Sequence, residues 1–163
     1  MNAKGAISAT INLSQMILTQ YLSDLDDADL LRRPSPGCNH LAWQLGHLIS
    51  SEVGILSALV PGAAPELPAG FKEQHDKTHT TSDSPADFCT KAKYLELIEQ
   101  VHTATKQALE AYDETQFDLP APESFRGFMP TNGDVWVLIG THPIMHAGQF
   151  VPVRRALGKP IVI

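Results

Sequence analysis

Four stretches of this chain repeat their apolar residues at three- and four-residue steps, and no stretch alternates like a strand for more than a few residues. That period gathers the apolar side chains on one face of a helix. In residues 3–25 the face is Ile7, Ile11, Ser14, Leu18, Leu22 and Leu25. In residues 39–60 it is Leu41, Leu45, Leu48, Ile55 and Leu59, with Asn39 as the expected cap and Pro61-Gly62 as the stop. The third stretch opens at Ser84, a residue suited to capping, with Pro85 and Asp87 in the first turn. Its expected face is Phe88, Ala92, Leu95, Ile98, Thr105, Leu109 and Tyr112. The fourth, residues 131–157, opens on Thr131 and Asp134 as a capping pair and closes on Arg154, Arg155 and Gly158. Pro143 and Pro152 fall inside it; each removes a backbone donor, which predicts a kink or a local opening. Four amphipathic helices of about twenty residues predict an all-α four-helix bundle. The 163 residues suit one domain spanning 1–163.

The links are polar or rich in turn residues. Residues 26–36 form a polar link, and Pro34-Ser35-Pro36-Gly37 is a strong break. Residues 61–83 form a long loop, and loops of that length either carry function or move. A second irregular stretch covers residues 113–130.

Composition narrows the partners. The formal net charge is -6, and the basic residues are dispersed, which argues against nucleic acid and against anionic membrane surfaces. The first residues lack a charged segment leading into a continuous apolar run, so they do not read as a signal peptide. No apolar run is long enough to span a bilayer. Cys38 and Cys89 are the only cysteines and form no CxxC motif, so a reducing cytoplasm is the expected location. Burial explains both cysteines better than nucleophilic chemistry. The chain has no GxSxG elbow, no phosphate-binding glycine loop and no dinucleotide fingerprint.

The histidines carry the chemistry. At about 100° per residue, Val135, Leu138, Ile139, His142, His146, Gln149, Val153 and Leu157 share one arc of the fourth helix. His142 and His146 therefore stand one turn apart on the apolar stripe. Burying two imidazoles costs free energy unless both find partners. Either each is hydrogen-bonded within the core or the two share a metal ion. His47 lies about 120° from the leucine stripe of the second helix and reads, alone, as a boundary histidine. Beside it are Gln44, Ser51, Gly54 and Ala58, small enough in part to leave room for a ligand. Glu52 falls within the leucine stripe, so it is a candidate to bind the ion or to hold one of its ligands. Gln149 is a candidate to orient substrate or water. His102 sits on the apolar stripe of the third helix and is the rival ligand. His75 and His79 lie in the polar loop with nothing to fix them, and His40 reads as surface or cap. Trp43 reads as a packing residue.

Two segments resemble a known family. Trp43-Gln44-Leu45-Gly46-His47 is similar to the WxxxH segment of the DinB/YfiT-like superfamily. His142-Pro143-Ile144-Met145-His146-Ala147-Gly148-Gln149 is similar to its terminal HxxxHxGQ segment, and the residues from Val153 to Pro160 resemble the family's stretch just beyond that motif. The resemblance covers nearly the whole chain. It implies a four-helix bundle with a three-histidine metal site at one end, here His47, His142 and His146, and a homodimer as the common assembly. Pro143 has no place in the family pattern. Characterised relatives include metal-dependent thiol S-transferases and isomerases that use low-molecular-weight thiols.

Three neutral imidazoles leave positions open on an ion, as catalytic sites do. Zinc or nickel suits such ligands best, and iron or copper is also compatible. The expected activity is activation of a small thiol for transfer to an electrophile. The alternatives are a hydrolase using ion-bound water, with Glu52 as its base, and a stress-associated binding protein without catalysis.

Overall fold

Where each long helix begins is decided by a side chain that satisfies its first free N–H groups. The structure, a computed structural model, describes residues 1–161, so the last two positions of the expected 1–163 domain lie outside the described residues. In α1 (Ala3–Leu22), Oδ1 of Asn2 accepts from the Gly5 N–H at 2.9 Å. The helix stops before the expected Leu25, although Leu25 is still buried in the core. A short α2 (Asp27–Leu30), opened by a capping box between Asp26 and Asp29, occupies the polar link. In α3 (Leu41–Leu59) the cap is His40, not Asn39: His40 Nδ1 accepts from the Trp43 N–H at 3.1 Å.

The segment read as a loop contains α4 (Phe71–Gln74) and a 3-10 turn over Lys77–His79. The next helix, α5 (Lys91–Ala111), starts later than expected. Ser84 makes no capping bond, Pro85–Asp87 is only a 3-10 turn, and Thr90 is the cap. Phe88 is extended, so it cannot set the phase of the helix beyond it. The buried face of α5 is consequently turned: Ala92 is exposed, while Tyr94, Leu97 and Val101 join Ile98, Thr105 and Leu109 inside. The last helix, α6 (Asn132–Ala156), opens on the expected Thr131–Asp134 capping box and runs on through both Pro143 and Pro152. It ends at Gly158, whose φ of 68° lets the Lys159 N–H reach the Arg154 carbonyl.

The four long helices form the bundle. α1 packs on α6, α6 on α3, α3 on α5, and α5 back on α1. In that ring α1 and α3, consecutive long helices, stand across the diagonal, as do α5 and α6. Long links are what such crossings need. The contact of α1 with α6 is very close at Gly140, where a Cβ would lie 2.8 Å from Cγ2 of Thr10. One core cluster centres on Leu22, Leu45, Tyr94 and Phe150, the other on Ile11, Leu56, Leu109 and Trp136. Because α6 is covered by both α1 and α3, its buried face is wide and runs through Trp136, Gly140, Ala147, Phe150 and Arg154. His142 and His146 stand at the edge of that face, half-buried. Among the described residues the only β feature is an isolated bridge between Pro120 and Thr131.

Candidate metal centre

Adjacency of α3 and α6 brings His47 to His142 and His146. Each of the three offers a ring nitrogen, and these nitrogens lie within 4.8 Å of one another. Ring centroids are 5.2 Å apart for His47 and His142, 5.3 Å for His47 and His146, and 4.9 Å for His142 and His146. The cluster lies well inside both helices, between the Val135–Ile139 and Ala147–Val153 parts of α6, rather than at one end of the bundle. Burial, with the neighbouring imidazoles second, pushes His142 and His146 down to about 4, and burial lowers His47 as well. All three rings are therefore neutral near pH 7, the form that donates a lone pair.

Two contacts aim the rings. Gln44, almost fully buried, donates from Nε2 to the Asn39 carbonyl at 2.8 Å. That bond turns its Oε1 toward His146, whose Nδ1–H donates to it at 2.9 Å. Nδ1 is thus the protonated nitrogen, and Nε2 is left as the ligand atom. Trp43 stacks flat on His47, with centroids 5.1 Å apart and planes 7° from parallel. The indole is held in turn by its Nε1–H, which donates to the Asp76 carbonyl at 2.9 Å. The tryptophan and histidine four residues apart on α3 are therefore one unit. Gln44 escapes a reading by ligand type, although its position one turn before His47 is a usable signal.

Beside the cluster is a cavity of ≈ 510 Å³ with an apolar lining. Gly54, Ile55 and Ala58 of α3 and Leu138 of α6 line it together with His47 and His142. Phe125 and Phe128, from the irregular 113–130 stretch, stand on its other side, where the sequence gives no sign of them. The small residues beside His47 do leave the expected room.

The other candidates lie elsewhere. Glu52 accepts a 2.7 Å hydrogen bond from Thr105 Oγ1, facing α5, and burial pushes its carboxyl up to about 7. Gln149 is exposed on α6, and a different amide, that of Gln44, meets His146. His102 is buried on α5 outside the cluster. His75 corrects the sequence reading most sharply. It is buried, its Nδ1–H donates to the Phe71 carbonyl at 2.7 Å, and its Nε2 accepts from the Tyr94 hydroxyl at 2.7 Å. Its ring fills the space over Gly46, where a Cβ would come within 1.9 Å of the imidazole. His79 stays at the surface beside Asp76. Cys38 and Cys89 are free and half-buried.

A four-helix bundle carrying three converging imidazoles beside an apolar cavity defines a class of small α-helical proteins equipped to hold a metal ion. The DinB superfamily profile matches residues 10–150, and this chain belongs to that superfamily. A conserved protein from Enterococcus faecalis shares the fold with a TM-score of 0.69 at 19% identity, covering 98% of this chain and 99% of that one. YfiT from Bacillus subtilis, described as a probable metal-dependent hydrolase with an unusual four-helix bundle topology, aligns with a TM-score of 0.66 at 16% identity. That alignment covers 96% of this chain and 89% of YfiT. No curated protein matches the sequence. No helix among the described residues is long and apolar enough to cross a membrane.

Proposed function

We propose that this chain is a metal-dependent enzyme in which His47, His142 and His146 hold one divalent ion and a small thiol is activated for transfer to an electrophile. The observation that carries the reading is the convergence of three neutral imidazoles, two of which, His47 and His142, line an apolar cavity. The donor set fits such an ion. It has three nitrogen ligands, one of them fixed in its tautomer by Gln44, and among the described residues no fourth protein ligand joins the cluster. Zinc or nickel is the preferred ion, with iron or copper compatible. When bound, the ion would favour the anion of a thiol or of water beside it. The apolar walls would exclude solvent from the reacting groups and accept an uncharged electrophile.

A hydrolase is the second reading, favoured by the description of YfiT. Water activation draws on a general base. Among the described residues no carboxylate lines the cavity, and Glu52 is bonded to Thr105. A thiol, with an ordinary pKa of about 8.5, gives up its proton far more readily than water does. The reading includes a single domain over 1–163, a small-molecule substrate, a homodimer and a cytoplasmic supply of low-molecular-weight thiol. Sedimentation of the purified protein tests the dimer.

Elemental analysis of the purified protein and of His146→Ala tests the centre. About one ion per chain in the parent, lost in a variant that keeps its helical circular dichroism, is the expected result. Loaded protein is then offered thiols with electrophiles, and separately esters and amides, which divides transferase from hydrolase. A parent that takes up neither zinc nor nickel overturns the reading and leaves a binding bundle without metal chemistry.

A further inference from the structure

A second cavity, of ≈ 280 Å³, also borders His47. Trp43, Ser50, Lys72, Asp76 and Lys77 are among its lining residues, and it shares His47 and Ser51 with the apolar cavity. Its chemistry is the opposite of its neighbour's. Among the described residues no cationic side chain lines the apolar cavity, whereas two lysines line this one. Among the same residues neither Lys72 nor Lys77 has a carboxylate within ion-pairing distance. The one acid present, Asp76, stays ionised, its Oδ1 accepting from the N–H and the hydroxyl of Thr78 at 2.7 and 2.6 Å, and the two lysines leave the lining with a net positive charge.

An independent observation also calls for a ligand here. The Ser50 hydroxyl is buried and has no hydrogen-bond partner among the described residues. An orphaned buried donor costs free energy that a bound acceptor would recover. The segment bearing the lysines is also firmly placed. His75 is wedged over Gly46 and bonded to Phe71 and Tyr94, and the Asp76 carbonyl is tied to Trp43. Two unpaired cations and an unsatisfied hydroxyl on an anchored segment match an oxyanion.

We propose that this cavity binds an anionic group, a carboxylate or a phosphate, of the same molecule whose reacting end sits at the histidine cluster. The reacting end rests on the metal-dependent reading; the anion contact rests on Lys72, Lys77 and Ser50 alone. The substrate class is then a thiol that carries an acidic group, bound across His47.

Propionate and inorganic phosphate are titrated separately into metal-free protein and monitored by amide chemical shifts, with propionamide as the neutral control. Saturable shifts at residues 50–51 and 72–77 are expected for one or both anions and not for propionamide. The anion that binds identifies the group. Both lysines are exposed, so a Lys72→Met, Lys77→Met double variant should fold and bind about tenfold more weakly. No saturable shift with either anion, or undiminished binding by the double variant, overturns the proposal. In zinc-loaded protein, 3-mercaptopropionate should bind about tenfold more tightly than 2-mercaptoethanol by calorimetry, with the gain lost in the double variant. Equal affinity for the two thiols overturns the joint use of the cavities. Failure to take up zinc is failure of the metal reading, and the metal-free titrations decide the anion site regardless.

Discussion

Gln44 makes two hydrogen bonds that serve different ends: one pins its own amide to the Asn39 carbonyl, the other fixes the tautomer of His146. Removing it should leave the helix intact and misalign a ligand. Gln44→Ala is expected to weaken zinc binding by about 10–100-fold, read by competition with a chromophoric chelator. Glu52 behaves differently, because it acts on stability. Its folded pKa is raised to about 7 from an ordinary 4.5. The folded state therefore holds a proton that the unfolded chain has released between those values. Stability from this group is complete below about pH 4.5 and is lost as pH rises through 7. Glu52→Gln keeps an acceptor for Thr105 and removes the ionisation. It should be near neutral at pH 5 and stabilising by about 1–2 kcal/mol at pH 8, measured by urea unfolding at both pH values.

At the scale of elements, the close fit of α3 against the 61–83 segment depends on Gly46 having no side chain. A methyl there would meet the His75 ring at 1.9 Å, against a ring held by bonds at both nitrogens. Gly46→Ala should cost about 1–3 kcal/mol through overpacking, despite the better helix propensity of alanine. Thermal denaturation reads the loss, and adding His75→Ala should make the double variant less unstable than the sum of the two single changes. The same anchoring places the Asp76 carbonyl that steadies Trp43, so a glycine in the middle of α3 bears indirectly on the direction of His47.

For the whole molecule, Arg154 ties the end of α1 to the stretch that follows α6. Its side chain is 1% exposed and forms a bidentate pair with Asp24, at 2.6 and 3.1 Å. It also donates to the carbonyls of Tyr21 and Pro160. The guanidinium holds the Asp24 carboxyl below its ordinary range. Lys159 adds a bond to the Asp24 carbonyl. Arg154→Ala should destabilise by about 2–4 kcal/mol, from lost packing and from carbonyls left without a donor. Chemical denaturation should show the fall in midpoint, and the metal centre should survive because Arg154 does not touch it.

Much of this is readable from the chain, because helical periodicity and caps are local properties. The four helices, the Thr131–Asp134 box and the glycine stop at 158 arise from neighbours three or four residues apart. The spacing of His142 and His146 is likewise local. The phase of α5 is misread from sequence because an extended Phe88 breaks the count. His75 is set aside there as an unfixed loop residue because its partners, Phe71 aside, come from α3 and α5. Periodicity does not show that α3 stands next to α6 rather than α1; only the resemblance of the Trp43–His47 segment implies that His47 joins the histidine pair, and the packing of α3 on α6 is what brings it there. The roles of Gln44 and Trp43, and the two cavities bordering His47, likewise exist only once separate helices and loops pack, since a hydrogen bond across such distances in sequence has no local signature.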